Sequence, residues 1–309
     1  MTIDDGPVLV LLAAGMAKRY GGGCKPLAPL GVQGEAVIDL TVGDARRAGF
    51  GDIVLVLGRQ TGPAIEYHVE RSWPSSVAVS FALQDEPLGT AHAVLSARQA
   101  VGDRPFAVVN GDDVYGADAL AVLAAHLAAG GDEHALVGFR LADSVATDDP
   151  VTRGTCEVGS DGMLQAIAER RQVRRQADGS FRSEDGRQPV ELDDDTRVSM
   201  NCWGLRSSIW PVLADAVRSE HPHVDAPGHV ATSRSDRPMD GGAEVLLPEV
   251  VGAAIAPGSS TAPQRVRVLR GEGRCLGVTH SEDLPAVRAA LASMVGQGLR
   301  PADPWEEVR

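Results

Sequence analysis

Val8-Leu9-Val10-Leu11-Leu12 is an unbroken apolar run that ends, after two alanines, at Gly15. A run apolar at every position predicts a strand buried on both faces, the mark of a parallel sheet covered by helices. Comparable runs recur at Ile53–Leu57, Val77–Leu83, Phe106–Val109 and Ala135–Phe139, with helix-like stretches such as Ala36–Ala48 and Ala117–Ala129 between most of them. Strand and helix alternate, so the first half reads as a doubly wound α/β unit. After about residue 150 the rhythm changes. Thr155–Val158, the turn Gly159-Ser160-Asp161-Gly162 and Met163–Glu169 predict a hairpin. Residues 171–197 hold six arginines and seven acids with few apolar residues, which predicts a solvated hairpin or flap rather than a core element. A helix at Glu244–Ala254, strands at Arg265–Leu269 and Arg274–Val278 and a closing helix Glu282–Gly296 complete the expected order. The chain is read as one domain over residues 1–309, with halves meeting near residue 150.

Charge narrows the range of partners. The 309 residues carry 29 Lys and Arg against 42 Asp and Glu, a net charge of −13 that repels nucleic acid and anionic lipid. The four cysteines have no Cys-x-x-Cys spacing, the N-terminus is acidic, and the apolar stretch Val8–Ala14 is too short to span a bilayer. A cytoplasmic location is the expectation, with neither nucleic acid nor membrane as partner. His221, His223 and His229 fall in a loop rich in Pro, Gly and Asp without a cysteine, and no metal is assigned there.

The chemistry is expected where the first strand ends. Between Leu12 and Leu27, small residues allow backbone N–H groups to approach an anion closely, and Arg19 and Lys25 add two cations. Together they describe a polyphosphate cradle. It is not a dinucleotide fingerprint, which needs glycine at Ala17, nor a P-loop, which needs Gly-Lys-Ser/Thr where Cys24-Lys25-Pro26 stands.

Leu12-Ala13-Ala14-Gly15-x-x-x-Arg19, followed by Lys25-Pro26-Leu27, resembles the loop of sugar-phosphate nucleotidylyltransferases. Two further segments resemble that family in the same order: Gln84-Asp85-Glu86-Pro87-Leu88-Gly89-Thr90, its base-reading stretch, and Val109-Asn110-Gly111-Asp112-Asp113, its metal-binding strand end. Gly154, Glu169 and Asn201 fall where the family places residues that touch the sugar. The resemblance spans about residues 8 to 280 and is nearest to a bacterial subgroup of unassigned sugar substrate. It departs at Ala17, where many members carry a second glycine, and at Thr279, where Asp or Asn commonly completes a magnesium site.

The resemblance implies a fold of GT-A type: a Rossmann-like, mixed but mostly parallel sheet flanked by helices, with an α+β sugar-binding half. It implies an enzyme that joins an NTP, a pyrimidine nucleotide by preference, to a sugar 1-phosphate, releasing pyrophosphate with Mg²⁺ as cofactor. Catalysis would fall to Arg19, Lys25 and Asp112. The nucleotide would lie on Leu12, Ala13, Ala14, Gly15, Gln84, Gly89, Thr90 and Gly111, and the metal on Asp112 with Thr279; Asp113, Glu282, Asp283 or water are the substitutes for threonine. Arg153, beside Gly154, is read either as a phosphate contact or as half of an ordinary salt bridge. Two other functions stay open on the same residues, a glycosyltransferase that consumes an NDP-sugar and a sensor that binds without turnover. The apolar side of the closing helix, with Leu284, Val287, Leu291 and Met294, would cover either the chain's own sheet or a partner's, so a homodimer is one arrangement open to it.

Overall fold

The computed structural model describes residues 6–15, 24–145, 150–224, 243–258, 263–271, 273–277, 283–306 and 308. Arg19 and Thr279 lie outside the described residues. In the first half, strands β1 (Val8–Ala13), β2 (Ile53–Gly58), β3 (Val79–Gln84), β4 (Phe106–Asn110), β5 (Asp113–Val114) and β6 (His134–Arg140) alternate with helices. These are α1 (Val37–Ala48), α2 (Gly62–Ser72), α3 (Thr90–Ser96), α4 (Arg98–Val101), α5 (Ala117–Ala128) and α6 (Leu141–Ser144). The second half holds β7 (Val151–Val158), β8 (Leu164–Arg175), β9 (Phe181–Ser183), β10 (Glu191–Leu192), β11 (Arg197–Leu205), β12 (Val266–Arg270) and β13 (Leu276–Gly277), with α7 (Ile209–Glu220), α8 (Leu247–Ile255) and α9 (Leu284–Gly296).

The sheet bears out the expected class, a mixed, mostly parallel central sheet flanked by helices. β3, β2, β1 and β4 lie side by side and parallel, with β1 between β2 and β4. Successive side chains of a strand point to opposite faces, so β1 feeds two cores. Leu9, Leu11 and Ala13 pack with α1, α2 and α5, while Val8 and Val10 pack with α3, α7 and α8. Every one of those five residues is at most 1% exposed, which explains the run without alternation. Burying each such Val or Leu contributes on the order of 1.5–3 kcal/mol.

The sheet divides at β11. That strand runs antiparallel to everything it touches, with β6 along one edge. Its other edge is shared: Trp203–Leu205 pair with β4, while Val198 and Ser199 pair with β7. Between the two pairings the register shifts, and Asn201 takes φ 58°, a left-handed conformation that Asn tolerates better than most side chains. The sheet therefore opens between the C-terminal end of β4 and the start of β7. In open α/β sheets that position, outside the carboxyl ends of parallel strands where the order changes, is where ligands bind.

Residues 171–197 form the largely exposed hairpin expected of them, but that hairpin also joins the sheet and reaches a core. β8 runs on to Arg175 and continues the main sheet through β9 and β10, and Val173 and Phe181 are fully buried. Arg170 and Asp185 form an ion pair beneath this hairpin with side chains 4% and 6% exposed. Helix α8 starts at Leu247 rather than Glu244, because Leu246 is extended and Pro248 sits in the first turn. The apolar side of α9 covers the chain's own third core, where Val287 and Leu291 meet Leu30, Leu40 and Leu276.

Candidate active site

Lys25 opens a single 3₁₀ turn, Lys25–Leu27, with Pro26 buried behind it. The turn is closed by Leu27 N donating to Cys24 O at 3.0 Å and Ala28 N to Lys25 O at 2.8 Å. Its Nζ lies 3.5 Å from Asp112 Oδ2, with the lysine side chain 16% and the aspartate 37% exposed. Asp112 sits between the end of β4 and the start of β5, one residue beyond Gly111, whose N–H donates to Leu12 O at 2.8 Å. The ends of β1 and β4 are thus fastened together beneath the pair. Ala13 O accepts from Thr61 Oγ1 at 2.9 Å, while Ala14 is half-buried and Gly15 exposed at the strand's exit.

Asp113, next in sequence, points inward. Its Oδ2 accepts from Asn110 Nδ2 at 2.9 Å, and the Tyr115 hydroxyl lies 3.4 Å from the same oxygen. That hydroxyl accepts from Asn110 N at 2.9 Å and donates to Met200 O at 2.7 Å, so Tyr115 ties the end of β4 to the irregular part of β11. Gly277 of β13 lies against the Asp113 carboxylate, and any side chain there would overlap it. Burial, and then the charge of Asp112, push the Asp113 carboxyl up to about 6.

A cavity of about 260 Å³ opens where the sheet splits, lined by Gly154, Glu169 and Asn201 together with Asn110, Asp113, Arg153, Ser199 and others. The structure thus brings together all three residues assigned to sugar contact, on β7, β8 and β11. Asn201 Nδ2 donates to Asn110 Oδ1 at 3.4 Å, and its Oδ1 accepts from Trp203 Nε1 at 3.2 Å, which fixes the orientation of the amide. Cys275 also lines the cavity, but burial raises its thiol well above the usual range and disfavours the nucleophilic thiolate.

Gln84, Gly89 and Thr90 form a second group, at the C-terminal end of β3, and none of them lines the cavity. Gln84 Nε2 donates to Gly89 O at 3.0 Å, and Thr90 Oγ1 accepts from Leu247 N at 2.8 Å, capping the start of α8. Gly89 has φ 103°, and a Cβ there would come within 2.5 Å of Val245 O, so glycine is required twice over. Sequence reasoning passed over Tyr115 and gave Asn110 no role. Asn110 stood inside a quoted motif, whereas nothing local marks a buried tyrosine as a strut.

Residues 10–173, more than half of the chain, match the Nucleotidyl transferase family. Among curated proteins, the chain is 32% identical over 188 residues to Bifunctional protein GlmU of Sinorhizobium medicae, covering 60% of this chain and 40% of that protein. It is 31% identical over 132 residues to UTP--glucose-1-phosphate uridylyltransferase 2 of Staphylococcus saprophyticus, covering 35% of this chain and 45% of that one. The matches thus span less than half the length of these relatives. A solved structure of UDP-glucose pyrophosphorylase complexed with UDP-glucose superposes with a TM-score of 0.59 at 15% identity, covering 93% of this chain and 98% of that one, a likeness of fold. With the matched segment running from the middle of β1 to β8 and including Lys25, Asp112, Gly154 and Glu169, the chain belongs to the nucleotidyl transferase family.

Proposed function

We propose that the chain transfers a nucleotidyl group from an NTP, a pyrimidine nucleotide by preference, to a sugar 1-phosphate, forming an NDP-sugar and pyrophosphate. The observation that carries this reading is the meeting of Lys25 and Asp112 at the joined ends of β1 and β4, beside a cavity with Gly154, Glu169 and Asn201 in its wall. The uridylyltransferases among its relatives, named for UTP and glucose 1-phosphate, support the choice of base and acceptor class.

A sugar 1-phosphate brings its own anionic nucleophile, so the reaction needs alignment and charge compensation rather than a general base. A phosphate oxygen of the acceptor attacks the α-phosphorus of the NTP in line, and the bond to the β-phosphate oxygen breaks as pyrophosphate leaves. Lys25 would hold the α-phosphate against the incoming phosphate, and Arg19 would meet the departing β,γ-phosphates. The backbone of Leu12 to Gly15 and of Gly111 would line the phosphates. Gln84 and Thr90 would meet the base edge, with Gly89 leaving room for the ring. Glu169 and Asn201 would take sugar hydroxyls across Gly154.

Asp112 would hold Mg²⁺, with Asp113 behind it. Among the described residues no group of three or more His, Cys, Asp and Glu gathers as a metal cage. The partly exposed Asp112 carboxylate fits Mg²⁺, which takes one or two protein carboxylates and fills its other positions with phosphate oxygens and water. When bound, the ion supplies charge neutralisation to the triphosphate. A cytoplasmic location and a homodimer belong to this proposal. Among the described residues no helix is long and apolar enough to cross a membrane.

The test is a matrix of NTPs against sugar 1-phosphates with Mg²⁺, scored for pyrophosphate. Release that requires both substrates and is greatest with UTP or dTTP is the expected result. NDP-sugar consumption without pyrophosphate chemistry would replace this reading with a glycosyltransferase.

A further inference from the structure

Arg153 and Arg170 stand directly opposite one another in the antiparallel ladder of β7 and β8. Like charges in that relation destabilise a sheet unless each is compensated. Arg170 is: Asp185 takes Nε at 2.8 Å and Nη2 at 3.2 Å, and the carbonyls of Arg187 and Pro189 accept further bonds. Arg153 is not. Its Nε donates to Ser144 Oγ at 3.3 Å, its Nη1 to Thr152 O at 2.8 Å and its Nη2 to Ser144 O. All three acceptors are neutral. Among the described residues no carboxylate forms an ion pair with Arg153; Asp113, which lines the same cavity, attracts it. The second sequence-level alternative for Arg153, half of a salt bridge, is therefore not realised there.

The guanidinium is held by three bonds to neutral acceptors and has no ion-pair partner among the described residues, Asp113 being the carboxylate that attracts it, and it lines the same cavity as Gly154, Glu169 and Asn201. Arg153 is half-buried, and burial lowers its pKa against the opposing attraction of Asp113. A guanidinium carries five N–H donors, so two remain beyond those three bonds, in the planar fork that suits a carboxylate or phosphate. Of the acids that line the same cavity, Asp113 is held by Asn110, Glu169 has Arg171 as partner at 3.4 Å, Glu249 is exposed on the first turn of α8, and Asp283 precedes α9. The cavity's 260 Å³ equals roughly nine waters at ~30 Å³ each, room for a single hexose-sized molecule.

We propose that Arg153 is the specificity-determining residue of the acceptor cavity, and that the acceptor is a sugar acid 1-phosphate whose carboxylate, separate from the reacting phosphate, docks on the Arg153 guanidinium. The inference rests on the nucleotidyl transfer proposed above and deepens it.

The test compares glucuronic acid 1-phosphate with glucose 1-phosphate on wild type, Arg153→Gln and Arg153→Lys, by kcat/KM for pyrophosphate release and by calorimetric titration without NTP. Wild type should prefer the carboxylated acceptor, and Arg153→Gln should shrink that preference ratio by about tenfold to a hundredfold, the worth of one charged hydrogen-bonded contact. Arg153→Lys, which keeps the cation but loses the fork, should retain part of it, and it reads the same property if the glutamine variant does not fold. Equal use of the two acceptors by wild type, a ratio unchanged in Arg153→Gln, or no titration heat with either acceptor would overturn the inference. The two proposals fail separately. Pyrophosphate release without carboxylate preference removes only the acceptor assignment, whereas a carboxylate preference in calorimetry with no turnover by any NTP removes only the nucleotidyl transfer.

Discussion

Lys25 and Asp112 are separated by 87 positions in the chain, and their Nζ and Oδ2 atoms lie 3.5 Å apart where β1 and β4 end. The pair is partly exposed, and an ion pair of that kind contributes only about 0–1 kcal/mol to stability. On the function proposed above, its place in the fold would answer to the reaction rather than to folding. Lys25→Ala and Asp112→Ala should each lower kcat by about a hundredfold or more, the range found when one charge-stabilising group is removed from an active site. The thermal midpoints should stay within a degree or two of wild type. Steady-state pyrophosphate release and differential scanning calorimetry check both halves; full activity in either variant would contradict a catalytic role for the pair.

Gly89→Ala tests the loop at the end of β3. Its φ of 103° and the close approach of Val245 O leave no room for a methyl group. Strained backbone of this kind costs about 1–3 kcal/mol, so urea unfolding should show a lowered midpoint, accompanied by a raised KM for the NTP. An unchanged midpoint would mean that the loop yields without resistance.

The Arg170–Asp185 pair gives a pH prediction. The Arg170 guanidinium and the neighbouring backbone N–H groups hold the Asp185 carboxyl well below its ordinary range. A depressed carboxyl contributes stability that is present above about pH 4 and is lost as pH falls through the lower folded-state value. Asp185→Asn should therefore destabilise the protein at neutral pH, by about 3–5 kcal/mol if Arg170 stays buried without its partner. The gap from wild type should narrow at pH 3 and below. Denaturation midpoints measured across that range decide it.

Asp113 should show the opposite sign. Its carboxyl is raised to about 6, so between about pH 4 and 6 the folded state holds a proton that the unfolded chain has released. Stability of the metal-free protein should fall as pH rises through that window, and Asp113→Asn should flatten the dependence. A wild type equally steep with asparagine in place would show that another group is responsible.

The parallel core was plain in the sequence because burial on both faces removes all alternation from Val8–Leu12 and Phe106–Val109. The polar cluster was plain because Asn110 to Asp113 lie within four positions of one another on a single strand end. The cavity was not. It exists because β4 and β7 share one edge of β11, and that arrangement depends on pairings made across the whole chain and on a left-handed Asn201 that no local pattern announces. The hairpin around Phe181 was legible, but its buried row was not. Its inward apolar residues, Val173, Phe181 and Leu192, are few and are outnumbered by charged neighbours, so nothing local set them apart from a solvated segment.

The central claim, attack of an acceptor phosphate on the α-phosphorus of an NTP, is tested most directly by following a radiolabel placed in that α-phosphate. With a sugar 1-phosphate and Mg²⁺, the label should appear in a sugar nucleotide and the pyrophosphate should be unlabelled, with both signals lost together in Asp112→Ala. Label recovered in pyrophosphate or in free nucleoside monophosphate, or label that never leaves the NTP for any acceptor, would contradict the account.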